Sequence, residues 1–347
     1  MKLDQLVEVL QGAGAAHHVV RRGQGGYVVF PQGARVLGAW PDGQDENIFW
    51  TADRCQSGRT LAEALQAKEW NYGGDRLWFS PELNLFVRRP LATDPEYVPP
   101  SIDPGDYDLR VEGDTVHMRQ SGTLRDGREG VDIRFEASRT VRPVEAPLAK
   151  LSEVAYVGYE FVSRIEAGTD GGAAPRVNLW QLAMVPPTGE ILIPTWRKAK
   201  PYDFFSTGTK KWCKVKSECV VFPVTGDRRH KIGVNASVVC GRIGYLRRLG
   251  KKRWSLLVRN MQPVPGAYYP DYPIADPSRR CFAVQCYNDG GQFGGFGEVE
   301  HHAPAVVTGK NTCTSMDVSH LWAFVGPPAV IRRVAAELLG PSGTSWK

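Results

Sequence analysis

The sequence predicts an all-β protein with a large antiparallel architecture, and three observations carry this prediction. Glycine (37) and proline (25) are abundant among the 347 residues, which is typical of a fold rich in turns. Most of the chain consists of short segments whose apolar residues alternate or cluster between Gly, Pro, Asn and Asp. Helical spacing is confined to three short segments. Because strands follow one another without helices between them, we expect antiparallel pairing in a sandwich or barrel.

Three helices are predicted, all of them short. Apolar residues three and four positions apart predict an amphipathic helix over about 3–11 at the amino terminus. A second helix is expected to begin near Ser57 or Thr60. The third covers about 328–340, because Pro327-Pro328 opens an apolar helical pattern that Gly340 closes.

The strand-like segments number roughly fourteen, and a Gly-Asp turn within the fourth of them indicates a hairpin. The chain shows no repeat of 20 to 50 residues, which argues against a propeller or solenoid. The proline-rich stretch 95–104 is either a linker or a surface excursion, and we expect one domain over 1–347. The segments are 27–30, 35–40, 85–89, 108–120, 131–144, 154–166, 177–185, 190–196, 219–224, 237–246, 254–261, 280–287, 296–307 and 320–325.

Charge and composition exclude several classes of protein. A net charge of +6 is a mild bias, so we expect no nucleic-acid partner. No run of about eighteen apolar residues occurs, so no membrane span is expected. The amino terminus carries acidic and amide residues where a secretory signal would be apolar, which predicts a cytoplasmic protein. The seven cysteines contain no CxxC pair, so we expect reduced thiols and neither zinc nor disulfides.

Nucleophile and cofactor motifs are absent from the sequence as well. It has no Gly-x-Ser-x-Gly elbow, no P-loop and no dinucleotide fingerprint after a strand. Acyl transfer, ATP chemistry and hydride transfer therefore lack support, and we expect no cofactor. Carbohydrate chemistry by carboxylates remains.

The passage 71–82 concentrates polar, aromatic and glycine residues as a binding cleft does. Its paired glycines, Gly73 and Gly74, allow the backbone to approach other atoms closely, and Asp75 and Arg76 follow them next to Trp78. A guanidinium binds hydroxyls or a carboxylate, while an indole covers the apolar face of a sugar ring. The alternative is an Asp–Arg pair that closes a loop over a core tryptophan.

The passage 287–304 has five glycines in eight residues and leads into a predicted strand. Period-two alternation places Glu298, Glu300 and His302 on one face of that strand. Two such carboxylates can divide their roles, one as a base and the other as a charge or hydrogen-bond partner. The adjacent His301 and His302 point to opposite faces, so they cannot chelate one metal ion.

These motifs resemble the galactose-mutarotase-like superfamily, and within it an uncharacterised group of sugar-related proteins. The resemblance spans roughly residues 20–325. It is carried by Gly73-Gly74-Asp75-Arg76-Leu77-Trp78-Phe79-Ser80-Pro81-Glu82, by Asn178-Leu179-Trp180 with Ile191-Leu192-Ile193-Pro194, and by Tyr287-Asn288-Asp289-Gly290 with Phe296-Gly297-Glu298-Val299-Glu300 and Ala303-Pro304-Ala305.

The resemblance implies a β-supersandwich whose concave face binds sugar. In aldose 1-epimerases of this fold, a late-strand Glu takes the proton from the anomeric hydroxyl and a central-strand His protonates the ring oxygen. Glu300 best matches that Glu, with Glu298 as the alternative. The sequence departs from the pattern because no histidine occurs over 178–181. Either another acid replaces it, with three candidates, or the reaction differs; the candidates are His302, His230 and Tyr159.

Three functions compete at this stage. The first is an enzyme that acts on a sugar or sugar acid, either an epimerase or a lyase or hydrolase on the same face. The second is a carbohydrate-binding protein without turnover, and the third is a structural or interaction protein. The expected ligand is a carbohydrate, neutral or anionic. The residues expected to bind it are Asp75, Arg76, Trp78, Glu82, Asn178, Trp180, Asn288 and Asp289.

Overall fold

A computed structural model describes residues 1–43, 46–86, 97–148, 153–206 and 208–340. Within these residues two large antiparallel sheets, of nine and eleven strands, dominate the chain, which confirms the predicted all-β class. The helices are α1 (Leu3–Gly12), α2 (Gly58–Gln66), α3 (Glu82–Leu85), α4 (Thr209–Trp212) and α5 (Pro328–Leu339), with a short 3-10 turn over Asp53–Gln56.

Consecutive strands pair with one another in several hairpins, and longer connections carry the chain between the sheets. In chain order the strands are β1 (His18–Arg22), β2 (Gly25–Phe30), β3 (Arg35–Trp40), β4 (Asp75–Ser80), β5 (Asp108–Glu112), β6 (Thr115–Asp126), β7 (Val131–Pro143), β8 (Ala155–Gly168), β9 (Asn178–Val185), β10 (Gly189–Pro194), β11 (Tyr202–Asp203), β12 (Lys214–Val215), β13 (Cys219–Val224), β14 (Arg229–Asn235), β15 (Arg242–Arg248), β16 (Trp254–Asn260), β17 (Phe282–Asp289), β18 (Gly297–His302), β19 (Val306–Val307) and β20 (Thr312–Gly326).

The strand order of each sheet brings distant parts of the chain side by side. The nine-stranded sheet runs β1-β2-β3-β4-β9-β18-β17-β14-β11. The eleven-stranded sheet contains the path β12-β13-β10-β15-β16-β20-β8-β7-β6-β5, and β19 pairs with β20. The middle of the nine-stranded sheet is therefore built by β4, β9, β18, β17 and β14, which come from four separate regions of the sequence.

The main hydrophobic core lies between the two sheets. Side chains such as Leu77 and Val299 from the nine-stranded sheet belong to the same apolar cluster as Val157 and Leu257 from the other sheet. A polar group is enclosed with them, because Asp75 accepts a hydrogen bond from Tyr159 at 2.7 Å. Burial of this much apolar surface is the main source of stability of such a sandwich.

Helices cover parts of the two outer faces. Helices α1 and α2 pack Leu6 and Leu61 with Phe30 and Trp40 of β2 and β3. Helix α5 covers the outer face of the eleven-stranded sheet around β16 and β20. Among the described residues no helix is long and apolar enough to cross a membrane. A cavity, described in the next subsection, lies over the central strands of the nine-stranded sheet.

Most predicted elements are confirmed, and the terminal helices lie where the spacing predicts them. The prediction of a strand over 85–89 is wrong at Leu85, which ends α3, while 87–89 lie outside the described residues. The Gly113-Asp114 hairpin joins β5 to β6 as predicted. Residues 95 and 96 of the proline-rich stretch also lie outside the described residues, and the single domain over 1–347 stays a prediction.

Four strands of the nine-stranded sheet were not predicted: β1, β4, β11 and β14. Of these, β4 lies in the passage interpreted as a cleft-building loop, and β14 begins with the basic residues Arg229, His230 and Lys231. Both are buried on nearly every residue although each begins with charged residues, so neither shows the apolar run or the alternation by which a strand is predicted. Strands β4 and β14 matter most for function. These two strands carry much of the site described next.

Candidate functional site

A cavity of about 290 Å³ lies over β4, β9, β18, β17 and β14 on the face turned away from the second sheet. Its size is at the lower end of small-molecule sites. Its walls are mainly aromatic, with two carboxylates and three cationic side chains. The lining residues are Trp70, Arg76, Trp78, Glu82, Leu83, Phe86, Tyr97, Val98, Trp180, Phe204, Phe205, Arg229, Lys231, Tyr272, Pro273, Ile274, Tyr287, Phe293, Phe296 and Glu298.

Strand alternation decides which residues reach this cavity. In β4, Arg76 and Trp78 face it, whereas Asp75 and Leu77 face the core between the sheets. The register places Trp78 opposite Trp180 of β9, so the two rings meet edge to face with centroids 5.5 Å apart. Neighbouring strands thus supply one continuous aromatic wall.

Arg76 and Glu298 form a buried ion pair at the cavity wall. The Arg76 Nη2 and Glu298 Oε1 atoms are 2.7 Å apart, and both side chains are almost completely buried. The guanidinium carbon lies 4.0 Å from the Trp78 ring centroid and 5.2 Å from that of Trp70. Burial raises the pKa of Glu298, while the charge of Arg76 opposes that rise. The carboxylate is thus held by a cation that itself packs on two indoles.

Lys231 of β14 joins two further carboxylates. Its ammonium donates a hydrogen bond to Glu82 at 2.9 Å and lies 3.8 Å from the nearer oxygen of Glu300. Burial lowers the pKa of Lys231, but Glu300, Glu82 and Asp271 outweigh it and the net shift is upward. Burial also raises the pKa of Glu300 to about 8, with Lys231 opposing that rise. Near neutral pH we therefore assign a protonated Glu300, so that Glu82 and Asp271 are the negative charges that keep Lys231 protonated.

Glu300 and His302 fix the ring of Trp180 from beneath. The indole Nε1 donates to Glu300 Oε2 at 2.8 Å, and the His302 ring stacks on the indole at 15° with centroids 5.3 Å apart. The His302 Nδ1 atom lies 3.4 Å from both Ser80 Oγ and Asn178 Nδ2. Burial keeps the pKa of His302 well below its ordinary value, so the ring is neutral. Trp180 is therefore a rigid platform in the cavity floor.

The structure divides the predicted site residues into three groups. Arg76, Trp78, Glu82, Trp180 and Glu298 line the cavity together. A second group lies beneath its floor rather than in its lining: Glu300, His302 and Asn178. A third group lies elsewhere: Asp75, Asn288, Asp289, Tyr159 and His230.

The third group lies outside the cavity lining and is held by contacts within the fold. It contains three residues predicted to bind ligand, Asp75, Asn288 and Asp289, and two considered as the acid, Tyr159 and His230. Asp75 pairs with Arg259 at 2.5 Å in the core between the sheets, where Tyr159 is its donor. Asn288 bonds the backbone of residues 223 and 225. His230 stacks on Phe222 on the opposite face of β14 from Lys231.

Asp289 organises the glycine-rich loop between β17 and β18. Its carboxylate accepts the backbone N–H groups of Phe293 and Gly295, at 2.9 to 3.0 Å and 2.9 Å. Gly294 has φ of 131°, and a Cβ atom there would lie 2.4 Å from the Trp50 ring, so the turn requires glycine. The loop places Phe293 and Phe296 in the cavity wall.

The sequence predictions missed Lys231, Trp70 and Arg229 among the lining residues. Lys231 and Arg229 belong to β14, which was not predicted; the apolar residues from Ile232 onward were a usable signal that a strand begins there. Trp70 lies in a turn after α2, where nothing marks its direction. Within the described residues no group of three His, Cys, Asp or Glu side chains could hold a metal ion.

Comparison with known proteins identifies the family. The model of a family described as a Family of unknown function (DUF6786) matches residues 29–344. The chain belongs to the DUF6786 family. No curated protein matched the chain.

Solved structures similar to this DUF6786 chain have low sequence identity. A proposed aldose 1-epimerase from Escherichia coli K12 is 10% identical with a TM-score of 0.49, over 90% of this chain and 100% of that one. A galactose mutarotase-like protein from Lactobacillus casei ATCC 334 is 9% identical with a TM-score of 0.47, over 90% and 99%. Another from Clostridium acetobutylicum is 9% identical with a TM-score of 0.45, over 88% and 98%.

Proposed function

We propose that the cavity binds a carbohydrate and transfers a proton on it, as an aldose epimerase does, with Glu298 as the carboxylate that meets the ligand. One observation carries the proposal: a buried carboxylate paired with Arg76 faces a cavity walled by indoles. Glu298, rather than Glu300, takes this role because Glu300 lies under the floor and holds Trp180.

The walls of the cavity suit a sugar ring. Trp70, Trp78 and Trp180 present flat apolar surfaces to the C–H faces of a pyranose, and the indole ring is the largest such surface in proteins. The ion pairs Arg76–Glu298 and Lys231–Glu82 offer hydrogen-bond donors and acceptors for hydroxyl groups. Apolar faces with a few fixed polar groups are the usual composition of a small-molecule site.

The proposed chemistry needs a base and an acid. Glu298 accepts the proton of the anomeric hydroxyl, and its raised pKa brings it closer to neutral pH, where general catalysis is most effective. Lys231 then donates toward the ring oxygen in place of the histidine that the chain lacks over 178–181. The bond between C1 and the ring oxygen breaks as that oxygen gains its proton, which leaves an open-chain aldehyde. The aldehyde turns about the C1–C2 bond, and the reverse proton transfers close the ring as the other anomer.

NMR exchange between the anomers of glucose, galactose and their uronic acids tests this proposal. Glu298→Gln keeps the side-chain volume but removes the base, so we expect the enzymatic exchange rate to fall by about 10²- to 10⁴-fold. Because the variant also leaves the buried Arg76 charge unpaired, circular dichroism first has to show that it is folded. Glu63→Gln is the matched control, since Glu63 is exposed on α2 and distant from the cavity. Exchange that survives in Glu298→Gln would show that the assigned base is wrong.

Binding without turnover is the second candidate. It is favoured by the closed ion pair of Glu298 with Arg76, which a substrate has to open, and by the absence of the central histidine. Calorimetric titration with the same sugars separates the two. A binding protein is indicated if binding is saturable and Trp78→Ala weakens it, while neither anomer exchange nor the ultraviolet absorbance of an unsaturated uronide is seen. Unsaturated product instead indicates a lyase.

A further inference from the structure

The cavity continues outward into a shallow groove of about 360 Å³, here called the outer groove. Four side chains line both spaces, so the two are contiguous; they are Phe204, Phe205, Arg229 and Ile274. Ser206 and Ala275 complete the outer groove. A ligand that fills the enclosed cavity therefore has a lined path for a second unit.

The outer groove presents apolar surface that the fold does not cover. Phe205 is 36% exposed and Ile274 is 55% exposed, which is unusual for large apolar side chains. Asp203 accepts the backbone N–H of Phe205 at 3.1 Å, and the Phe205 ring meets that of Tyr287 edge to face with centroids 6.3 Å apart. An exposed aromatic ring beside a cavity offers a stacking surface for a second sugar ring.

Charge pairing leaves one cation unmatched in this region. The cavity carries three cations, of which Arg76 is paired with Glu298 and Lys231 with Glu82. Arg229 has no ion pair with any carboxylate in the part of the chain that the structure describes.

The unmatched guanidinium lies at the junction of the two spaces. Its central carbon lies over the Phe205 ring, 4.6 Å from the centroid, so it covers one face of that ring and leaves the other face for a sugar. A planar guanidinium with free N–H groups binds a carboxylate in a bidentate manner. A single cation matches the single charge of a carboxylate better than the charge of about −1.5 to −2 on a phosphate monoester.

We propose that the outer groove binds a second sugar residue bearing a carboxylate, so that the ligand is an acidic oligosaccharide rather than a single sugar. This inference rests on the proposed function and names its substrate class. The first ring occupies the indole-walled cavity, the second stacks on Phe205, and its carboxylate pairs with Arg229.

Calorimetry with matched sugars tests the inference. The probes are glucose, galactose, glucuronate, galacturonate, cellobiose, glucuronosyl-glucose and digalacturonate. We expect glucuronosyl-glucose to bind at least about 10-fold tighter than cellobiose, its neutral counterpart, since hydrogen bonds to charged groups contribute roughly 1.5–3 kcal/mol. Arg229→Gln should reduce that ratio to about one. Phe205→Ala should remove the advantage of disaccharides over monosaccharides.

Arg228→Gln is the matched control for the loss of one positive charge. Arg228 adjoins Arg229 in sequence but packs over Trp212 at 3.4 Å and lines neither space. The uronate ratio should survive in Arg228→Gln. Two results would overturn the inference and leave the proposed function standing. One is an equal loss of the uronate ratio in Arg229→Gln and Arg228→Gln, and the other is a monosaccharide that binds as tightly as the uronate disaccharides. Failure of every sugar to bind overturns both.

Discussion

At the scale of single residues, Glu300 gives the protein a measurable pH dependence. Its pKa is raised to about 8 in the folded protein from an ordinary value of 4.5, so the folded state holds a proton that the unfolded state releases. This contribution to stability is complete below about pH 4.5 and is lost as pH rises through 8.

Glu300→Gln should therefore flatten the pH profile of the free energy of unfolding. Between about pH 5 and pH 8, the free energy of unfolding of wild type should fall by on the order of 2–4 kcal/mol more than that of the variant. The glutamine oxygen still accepts from the Trp180 indole, so the platform persists. Urea titrations across this range provide the measurement, and Glu63→Gln should follow the wild-type profile. Parallel profiles for Glu300→Gln and wild type would refute the assignment of a protonated Glu300.

Asp103 is the second residue with a large expected effect. It is fully buried, pairs with Arg35 at 2.6 Å and accepts the indole N–H of Trp78 at 2.9 Å. Asp103→Asn leaves the Arg35 charge uncompensated in the core, which typically costs about 3–5 kcal/mol. Asp114→Asn breaks the half-exposed pair with Arg22 and should cost less than about 1 kcal/mol. Chemical denaturation compares the two, and equal losses would contradict the prediction.

At the scale of elements, the entry into β4 depends on Gly74. Its φ is 77°, and a Cβ atom would lie 2.4 Å from the Val36 carbonyl oxygen. Gly113, in the β5–β6 turn, also has positive φ, at 61°, but a Cβ there meets nothing within 4 Å. Alanine substitutions at Gly74 and Gly113 can therefore distinguish the cost of backbone strain from the cost of crowding.

Gly113→Ala should cost only the backbone strain of roughly 1–2 kcal/mol. Gly74→Ala should cost a further 1–3 kcal/mol for crowding and should also weaken ligand binding, because it displaces the strand that carries Arg76 and Trp78. Urea denaturation and calorimetry measure the two effects. A Gly74→Ala protein as stable as Gly113→Ala would show that this strand entry tolerates a side chain.

The sequence predicts strands well where apolar residues alternate or run together, and poorly where charged residues are buried. Strands β6 and β7 alternate between buried and exposed residues and were predicted, as were the fully buried, mainly apolar strands β3 and β9. Strand β4 is also buried throughout but begins with Asp75 and Arg76, so its residues resemble a cleft loop as much as a strand. The glutamates of β18 could be assigned to one face by alternation. That Glu300 lies beneath the floor depends on Trp180 and Lys231 packing over it, which no local pattern encodes.

At the scale of the whole molecule, the core joins both sheets into one cluster. Leu77 and Val299 of the first sheet share it with Val157 and Leu257 of the second. We therefore expect a single cooperative unfolding transition, seen at the same denaturant concentration by far-ultraviolet circular dichroism and by tryptophan fluorescence. Trp180 reports on one sheet and the other is represented by Trp254 and Trp322. Two separated transitions would contradict one domain over 1–347.

The Arg76–Glu298 pair joins positions that are 222 residues apart. During synthesis, Arg76 leaves the ribosome long before its partner exists, and the pocket closes only after β18 has inserted between β9 and β17. Contacts of such long range form slowly. Until then the nascent chain exposes an arginine and indoles that later line the cavity, so we expect aggregation to compete most with folding between the translation of β4 and that of β18.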